Sequence, residues 1–376
     1  MGRTMRRLEE IKWYQWLGYI LLAIYVAAGV SFFVFSIKLM ILPVKYLAGI
    51  GIFLLAAAVI VFVMHGNRVT SVLASALTIV LAAGCVFGVN ASGKMLSMMD
   101  EVTVEDTPTT VPKNIPDSFV MYLSGIDTYG NVGKRSRSDV NILAIVNTET
   151  KKVLLLSTPR DAYVEYLATQ GAKDKLTHAG IYGVEASMDA LERLYDVGID
   201  YYVKINFTGF IEVVDALGGI EVHSDYDFSV VTLKDYKKGY NKLNGIEALA
   251  FARERYSFPE GDYQRAKNQM EVIKAVVKKC ASSSMLANYG SVMDALAGSF
   301  ETNMPNAQIA ALVRMQLSDH AQWEIISYTT EGTNMQAQTY SMPGQELDVI
   351  QLSEESIAMA QQLIENVRKK EENYEE

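Results

Sequence analysis

From residue 13 to residue 90 the chain carries three basic residues, Lys38, Lys45 and Arg68, and no acidic residue at all. A water-soluble domain of that size keeps charged side chains over its surface, so this stretch must face something other than water. Two short turns, 38–45 and 65–68, divide it into three apolar runs at about 13–37, 46–64 and 69–89. Each is close to the ~20 apolar residues that carry a helix across the hydrocarbon of a bilayer. A cleaved leader has a single shorter apolar core, so three successive runs predict an anchor that stays. Arg3, Arg6, Arg7 and Lys12 precede the first run and place the N-terminus in the cytoplasm. His65 and Arg68 in the second turn agree with that orientation, while Lys38 and Lys45 in the first oppose it weakly. Three crossings then deliver everything after Asn90 to the outer face.

The expected organisation is a membrane anchor over residues 1–94, a linker over 95–116, one outer domain over 117–369 and a solvated tail over 370–376. The linker reading rests on acidic and polar composition with Pro108, Pro112 and Pro116. Cys85 falls in the third run and Cys280 in the outer part, so the two cannot form a disulfide framework. A net charge of −9 argues against a nucleic-acid partner.

Beyond the linker the hydrophobic period changes. Residues 119–126, 141–146 and 153–157 are short unbroken apolar runs, as expected of strands covered on both faces. Helical spacing at 184–195, 207–217 and 245–252 alternates with strand-like runs at 201–205 and 220–223. A helix is expected to start at Asp262, with further helices over 282–302 and 307–317, a strand over 323–328 and a closing helix over 354–369. That alternation indicates an α/β layer fold.

Asp262, Arg265 and Gln269 recur at i, i+3 and i+7, which puts them on one helical face beside the apolar stripe Ala266, Met270, Ile273, Val277. Just upstream, Arg253 and Arg255 form an R-x-R pair, and like charges held close call for an anion between them. Strand ends supply Asp127, Arg137, Asp139 and Arg160, and ligand sites of open α/β sheets form outside strand ends. Taken singly, each of these is more often an N-cap or a solvated ion pair worth ~0–1 kcal/mol. Taken together, carboxylates among arginines point to a divalent cation bridged to phosphate. The four histidines show no H-x-x-x-H spacing and no cysteine partner, so zinc is not expected. Walker A and G-x-S-x-G patterns are absent from the sequence.

In order along the chain, G-I-D (125–127), R-S-D (137–139), S-T-P-R-D (157–161), N-F-T-G-F (206–210), D-A-L-G-G-I-E-V (215–222), L-N-G-I-E-A-L-A-F-A-R-E-R (243–255) and D-Y-Q-R-A-K-N-Q (262–269) resemble the LytR-CpsA-Psr family of cell-wall enzymes. Y-T-T-E-G-T (328–333) and the last helix resemble it more loosely. The resemblance implies a three-layer α/β/α sandwich with an apolar tunnel for a lipid. It also implies transfer of a glycopolymer, of teichoic acid or capsular type, from a polyisoprenyl-pyrophosphate carrier to a peptidoglycan acceptor, with Mg²⁺ or Mn²⁺. Under it, Arg137, Arg160, Arg253, Arg255 and Arg265, completed by Gln269, would hold the pyrophosphate. Asp139 and Asp262 would bind the metal, and Asp127 would be a further ligand or the base for the acceptor hydroxyl. A pyrophosphatase acting on the same lipid, with water as acceptor, and a non-catalytic regulator of wall synthesis are the competing readings. Many members have one span before the catalytic part, whereas this chain has three.

Overall fold

The computed structural model describes residues 13–38, 41–65, 68–102, 115–130, 132–133, 135–259, 261–280, 282 and 298–369. The N-terminal arginines, most of the expected linker and the expected tail lie outside them. The chain divides into two units, 1–97 with 309–320 and 98–308 with 321–376.

In the first unit, α1 (Trp13–Lys38), α2 (Val44–Met64) and α3 (Arg68–Val102) each contain a span long and apolar enough to cross a membrane. Their outward side chains, among them Ile52, Leu55, Val63 and Phe87, are exposed, an exterior that suits hydrocarbon and not water. Tyr25, Val61, Ala74 and Cys85 are buried, and the Tyr25 hydroxyl donates to the Leu54 carbonyl at 3.1 Å. Helix α3 continues past the expected limit near residue 89 to Val102, so the start of the expected linker is helical. Composition marks where apolar side chains stop, but a helix stops only where its hydrogen-bond ladder fails, and no proline intervenes before Pro108.

In the second unit β1 (Ser118–Ile126), β2 (Ser138–Asn147) and β3 (Lys152–Ser157) come first, then the hairpin β4 (Tyr163–Glu165) and β5 (Lys173–Lys175). Helices α4 (Leu176–Tyr182) and α5 (Val184–Tyr195) lead to β6 (Tyr201–Asn206) and α6 (Phe207–Ala216). The short strands β7 (Ile220–Ser224), β8 (Phe228–Val230), β9 (Lys234–Tyr236) and β10 (Gly239–Leu243) precede α7 (Gly245–Arg253) and α8 (Asp262–Cys280). The chain closes with β11 (Phe300–Thr302), α9 (Asn306–Asp319), of which all but the first turn belongs to the first unit, β12 (Glu324–Thr329), β13 (Gly332–Thr339), β14 (Met342–Leu352) and α10 (Glu354–Arg368).

Six strands form one mixed sheet in the order β11-β6-β1-β2-β3-β12. The β1/β6 and β3/β12 pairs are parallel and the others antiparallel. Successive residues of β2 and β3 enter opposite cores, as the two-residue period of a strand requires. Leu143, Ile145, Leu154 and Leu156 pack against α4, α5 and α10, while Ile142, Ala144, Val153 and Leu155 pack against Met270 of α8. Helix α8 also sends Val272 into a separate core with α6, α7 and the strands β7 to β10. Helices, sheet and helix therefore make the α/β/α sandwich. At ~1.5–3 kcal/mol for each fully buried large aliphatic side chain, these cores outweigh any surface ion pair in setting the fold.

The 282–302 stretch departs from the helical expectation at its end. Phe300–Thr302 is a strand that pairs antiparallel with β6, and residues 283–297 lie outside the described ones. The β13–β14 hairpin was not expected either: most of its residues are exposed, with Val349 and Leu352 buried near its base, so it shows no regular buried alternation, and its backbone ladder and seat beside β4 and β5 form it.

Candidate functional site

Three strand ends and one helix start meet at a cavity of about 750 Å³. Its wall includes Asp139 from β2, Arg160 and Asp161 after β3, and Arg265, Ala266 and Gln269 from α8. The base of the β13–β14 hairpin adds Glu331, Asn334 and Asp348. Arg265 and Gln269 thus share one face beside the buried Met270, as their spacing predicts.

The Arg160 segment is held by its backbone. After Ser157 the chain turns at Pro159, the Arg160 carbonyl accepts from the Thr177 N–H at 2.8 Å, and the Asp161 carbonyl accepts from the Ile350 N–H at 2.9 Å. Beneath it, the Thr158 hydroxyl lies 2.7 Å from the Tyr195 hydroxyl, which lies 3.1 Å from that of Thr330. Burial pushes the Tyr195 phenol up to about 12, so it stays a neutral hydrogen-bonding strut. The Arg160 guanidinium donates from Nη1 to Asp139 Oδ1 at 3.0 Å, and its Nε lies 3.4 Å from Asp161 Oδ2. Asp161 is also paired with Lys175 Nζ at 2.8 Å, leaving Asp139 as the carboxylate that faces Arg160 in the cavity.

The R-S-D segment has its own clamp. Ser138 is buried and lies 3.0 Å from both the Tyr122 and Ser124 hydroxyls, while Tyr122 donates to Asn141 Oδ1 at 2.6 Å. Helix α4 presses on the outside: a Cβ on Gly180 would lie 2.5 Å from the Ser136 carbonyl oxygen and 3.0 Å from the Ser138 nitrogen. Only glycine allows that approach. Arg137 itself is exposed and does not line the cavity.

Asp127, Arg253 and Arg255 are placed elsewhere. Asp127 is exposed, in a loop after β1 that is pinned to α6: Asn206 caps that helix through the Gly209 N–H and donates from Nδ2 to the Gly130 carbonyl at 2.6 Å. Arg253 stacks on Phe207 of the same helix, 4.4 Å from the ring centroid, so it belongs with the Asp127 loop. Arg255 turns toward Tyr256, donating from Nη2 to its hydroxyl at 2.6 Å. None of the three is in the cavity lining. Of the five arginines expected to hold the pyrophosphate, Arg160 and Arg265 line this cavity, whereas Arg137, Arg253 and Arg255 lie outside its lining, the last two because α7 ends in a loop that turns them onto aromatic rings. The Asp262 side chain lies outside the described ones.

Several of the sequence motifs are scaffold. Asn244 and Glu247 form a capping box on α7, and Asp215 Oδ1 accepts from the Gly245 N–H at 2.6 Å. Gly218 and Gly219 hold φ of 75° and 82°, the left-handed region that ends α6. Buried Tyr122, Tyr195 and Thr158 and the hairpin residues Glu331, Asn334 and Asp348 were not anticipated. The Y-T-T-E-G-T run was the one sequence sign of the hairpin's contribution.

Among the described residues no group of three or more His, Cys, Asp or Glu is arranged to hold a metal ion. Four carboxylates line the cavity, Asp139, Asp161, Glu331 and Asp348. Asp161 is paired with Lys175 and Glu331 accepts from Tyr263, while Asp139 beside Arg160 fits a hard cation that takes most of its oxygens from phosphate and water, as Mg²⁺ does.

The LytR_cpsA_psr family model matches residues 86–356. A relative from Bacillus cereus named polyisoprenyl-teichoic acid--peptidoglycan teichoic acid transferase TagU is 38% identical over 200 residues, covering 53% of this chain and 64% of the relative. The chain thus spans a little under two thirds of that protein's length. B. subtilis TagV, a solved structure, superposes with a TM-score of 0.56 at 25% identity, over 68% of this chain and 98% of the other. TagT solved bound to LI-WTA gives 0.54 at 26% identity, over 71% and 96%. With a family match that runs through the sandwich and holds Asp139, Arg160 and Arg265 of the cavity, the chain belongs to the LytR-CpsA-Psr family.

Proposed function

We propose that this protein transfers a glycopolymer of teichoic acid or capsular type from a polyisoprenyl-pyrophosphate carrier to peptidoglycan. The carrying observation is the Arg160/Arg265 cavity in a chain with three apolar spans; the relatives' printed names supply donor and acceptor. The acceptor hydroxyl attacks the sugar-linked phosphorus, the bond to the lipid phosphate breaks, and the lipid leaves as its monophosphate while the hydroxyl proton passes to a base. Charge grows on the leaving phosphate, and Arg160 and Arg265, held in place beforehand by the backbone and by α8, stabilise it without reorganising. Gln269 contributes a neutral donor on the same wall. Arg253 and Arg137, exposed near the Asp127 loop and on the R-S-D segment, are suited to reach a bound polyanion from outside the cavity. Asp127 is proposed as the base or as a further metal ligand. Mg²⁺ or Mn²⁺, held by Asp139 and Asp262, would supply charge neutralisation on the pyrophosphate.

The test is incubation of the purified full chain in detergent with a lipid-pyrophosphate sugar, with and without acceptor glycan, in Mg²⁺ or in chelator. Conjugate formed only with acceptor and Mg²⁺ is the expected result. Lipid monophosphate released equally without acceptor would establish the hydrolase instead, and no release at all would establish a binding protein. Full activity in chelator would remove the metal.

The catalytic unit is proposed to lie outside the cell, with the N-terminus in the cytoplasm, from the three spans and the flanking Arg3, Arg6 and Arg7. Protease added to intact protoplasts should digest residues after 117, and their protection would reverse the orientation.

A further inference from the structure

Beside the cavity, on the other side of Tyr263, lies a second cleft of about 350 Å³. The two share Tyr263, Thr329 and Glu331, and the Tyr263 hydroxyl donates to the Glu331 carboxylate, so this pair is the partition between them. The second cleft carries charges of both signs, Lys267 and Lys274 among Asp225, Glu271 and Glu331, with Lys274 Nζ 2.9 Å from Glu271 Oε1 and His223 Nδ1 3.7 Å from Asp225 Oδ1. Such a mixed lining favours no polyanion, unlike the arginine cavity beside it. Its floor is made of two buried carboxamides, Gln264 and Asn268, bonded to each other at 3.0 Å, with Gln264 Nε2 also 3.4 Å from Asp225 Oδ2. Its wall is the Tyr263 ring, 39% exposed, with Lys267 Nζ 4.9 Å from the centroid.

Gln264 and Asn268 fix amide groups beside the carboxylates of Asp225 and Glu271, and an aromatic face offers a seat for C–H groups. A neutral, hydroxyl-rich ring matches both. The volume sits at the lower end of the ~300–1,000 Å³ of small-molecule sites.

We propose that this cleft is a saccharide subsite and that it seats the sugar of the acceptor. The inference rests on the transferase reading. In-line displacement brings the acceptor oxygen to the phosphorus from the side away from the leaving phosphate. An acceptor ring in the second cleft meets the phosphate cavity across Tyr263 and Glu331, with its hydroxyl directed at the partition, whereas the donor's phosphates occupy the arginine side.

The probe is the soluble disaccharide repeat of peptidoglycan, added to the full chain in detergent. Saturation-transfer NMR should show its binding, and Glu271→Trp, which fills the cleft, should abolish the signal while the donor KM stays within twofold. Glu271→Gln keeps the size and guards against a folding defect; it should raise the acceptor KM at least threefold. A raised donor KM with an unchanged acceptor KM would overturn the assignment, as would undiminished disaccharide binding in a folded Glu271→Trp protein. Failure of the transferase reading shows differently: the wild type would bind the disaccharide, lose it in Glu271→Trp, and still form no conjugate.

Discussion

Alanine at Arg160, or separately at Arg265, is expected to lower transfer by about one to two powers of ten with the fold intact. A charge-assisted hydrogen bond to an ionised group contributes ~1.5–3 kcal/mol, and each factor of ten in rate is ~1.4 kcal/mol. Both side chains line the cavity and neither is fully buried, so their removal opens no apolar void. Arg160→Ala carries a second consequence, since Asp139 loses its 3.0 Å partner and faces an incoming phosphate uncompensated. Arg160→Lys keeps the charge without the planar fork and should recover part of the loss. Initial rates of conjugate formation, with circular dichroism as the fold control, check this. Undiminished transfer in both alanine variants would place the reaction elsewhere.

The largest effect on stability is expected at Asp174, a residue remote from the phosphates. Its carboxylate is fully buried between β5, α4 and the β13–β14 turn. It accepts from the Tyr166 hydroxyl at 3.0 Å, from the Lys175 N–H at 2.8 Å, from the Ser341 N–H at 3.1 Å and from the Ser341 hydroxyl, and lies 2.7 Å from His178 Nδ1. Burial by itself raises this carboxyl, but the hydrogen bonds from His178, Ser341 and Lys175 outweigh it and hold the group below its ordinary value. Asp174→Ala strands several buried polar groups at once, at a cost of about 3–5 kcal/mol. For a unit of this size that is a fall in Tm on the order of 10 °C. Because the folded carboxyl titrates below its unfolded value, its contribution is complete above about pH 4 and is lost as pH falls through the depressed folded value. The wild type should therefore lose stability on that acid limb, and Asp174→Ala should have lost the same increment already at neutral pH. Thermal unfolding followed across pH measures both, and a variant that melts with the wild type would show that the network carries no stability. The same loss should loosen the hairpin whose base supplies Glu331, Asn334 and Asp348 to the cavity.

The sequence by itself determined whatever depends on composition and short-range period. Seventy-eight residues without a carboxylate can only be an anchor, unbroken apolar runs at 141–146 and 153–157 can only be strands covered on both faces, and i, i+3, i+7 spacing puts Arg265 and Gln269 on one face. These properties are set within a few residues of chain. The tertiary structure alone decided which arginines share a cavity. Arg253 and Arg255 look equivalent to Arg160 in sequence, yet one stacks on Phe207 and the other turns to Tyr256, because the ring each meets comes from the fold around it. The hairpin was illegible for the opposite reason: most of it is exposed, and what holds it is backbone pairing, the buried Val349 and Leu352 near its base, and bonds to distant residues such as Asp161 and Asp174. Its contribution to both clefts, through Glu331, exists only once residues more than sixty positions apart, Tyr263 and Glu331, have been brought within a hydrogen bond.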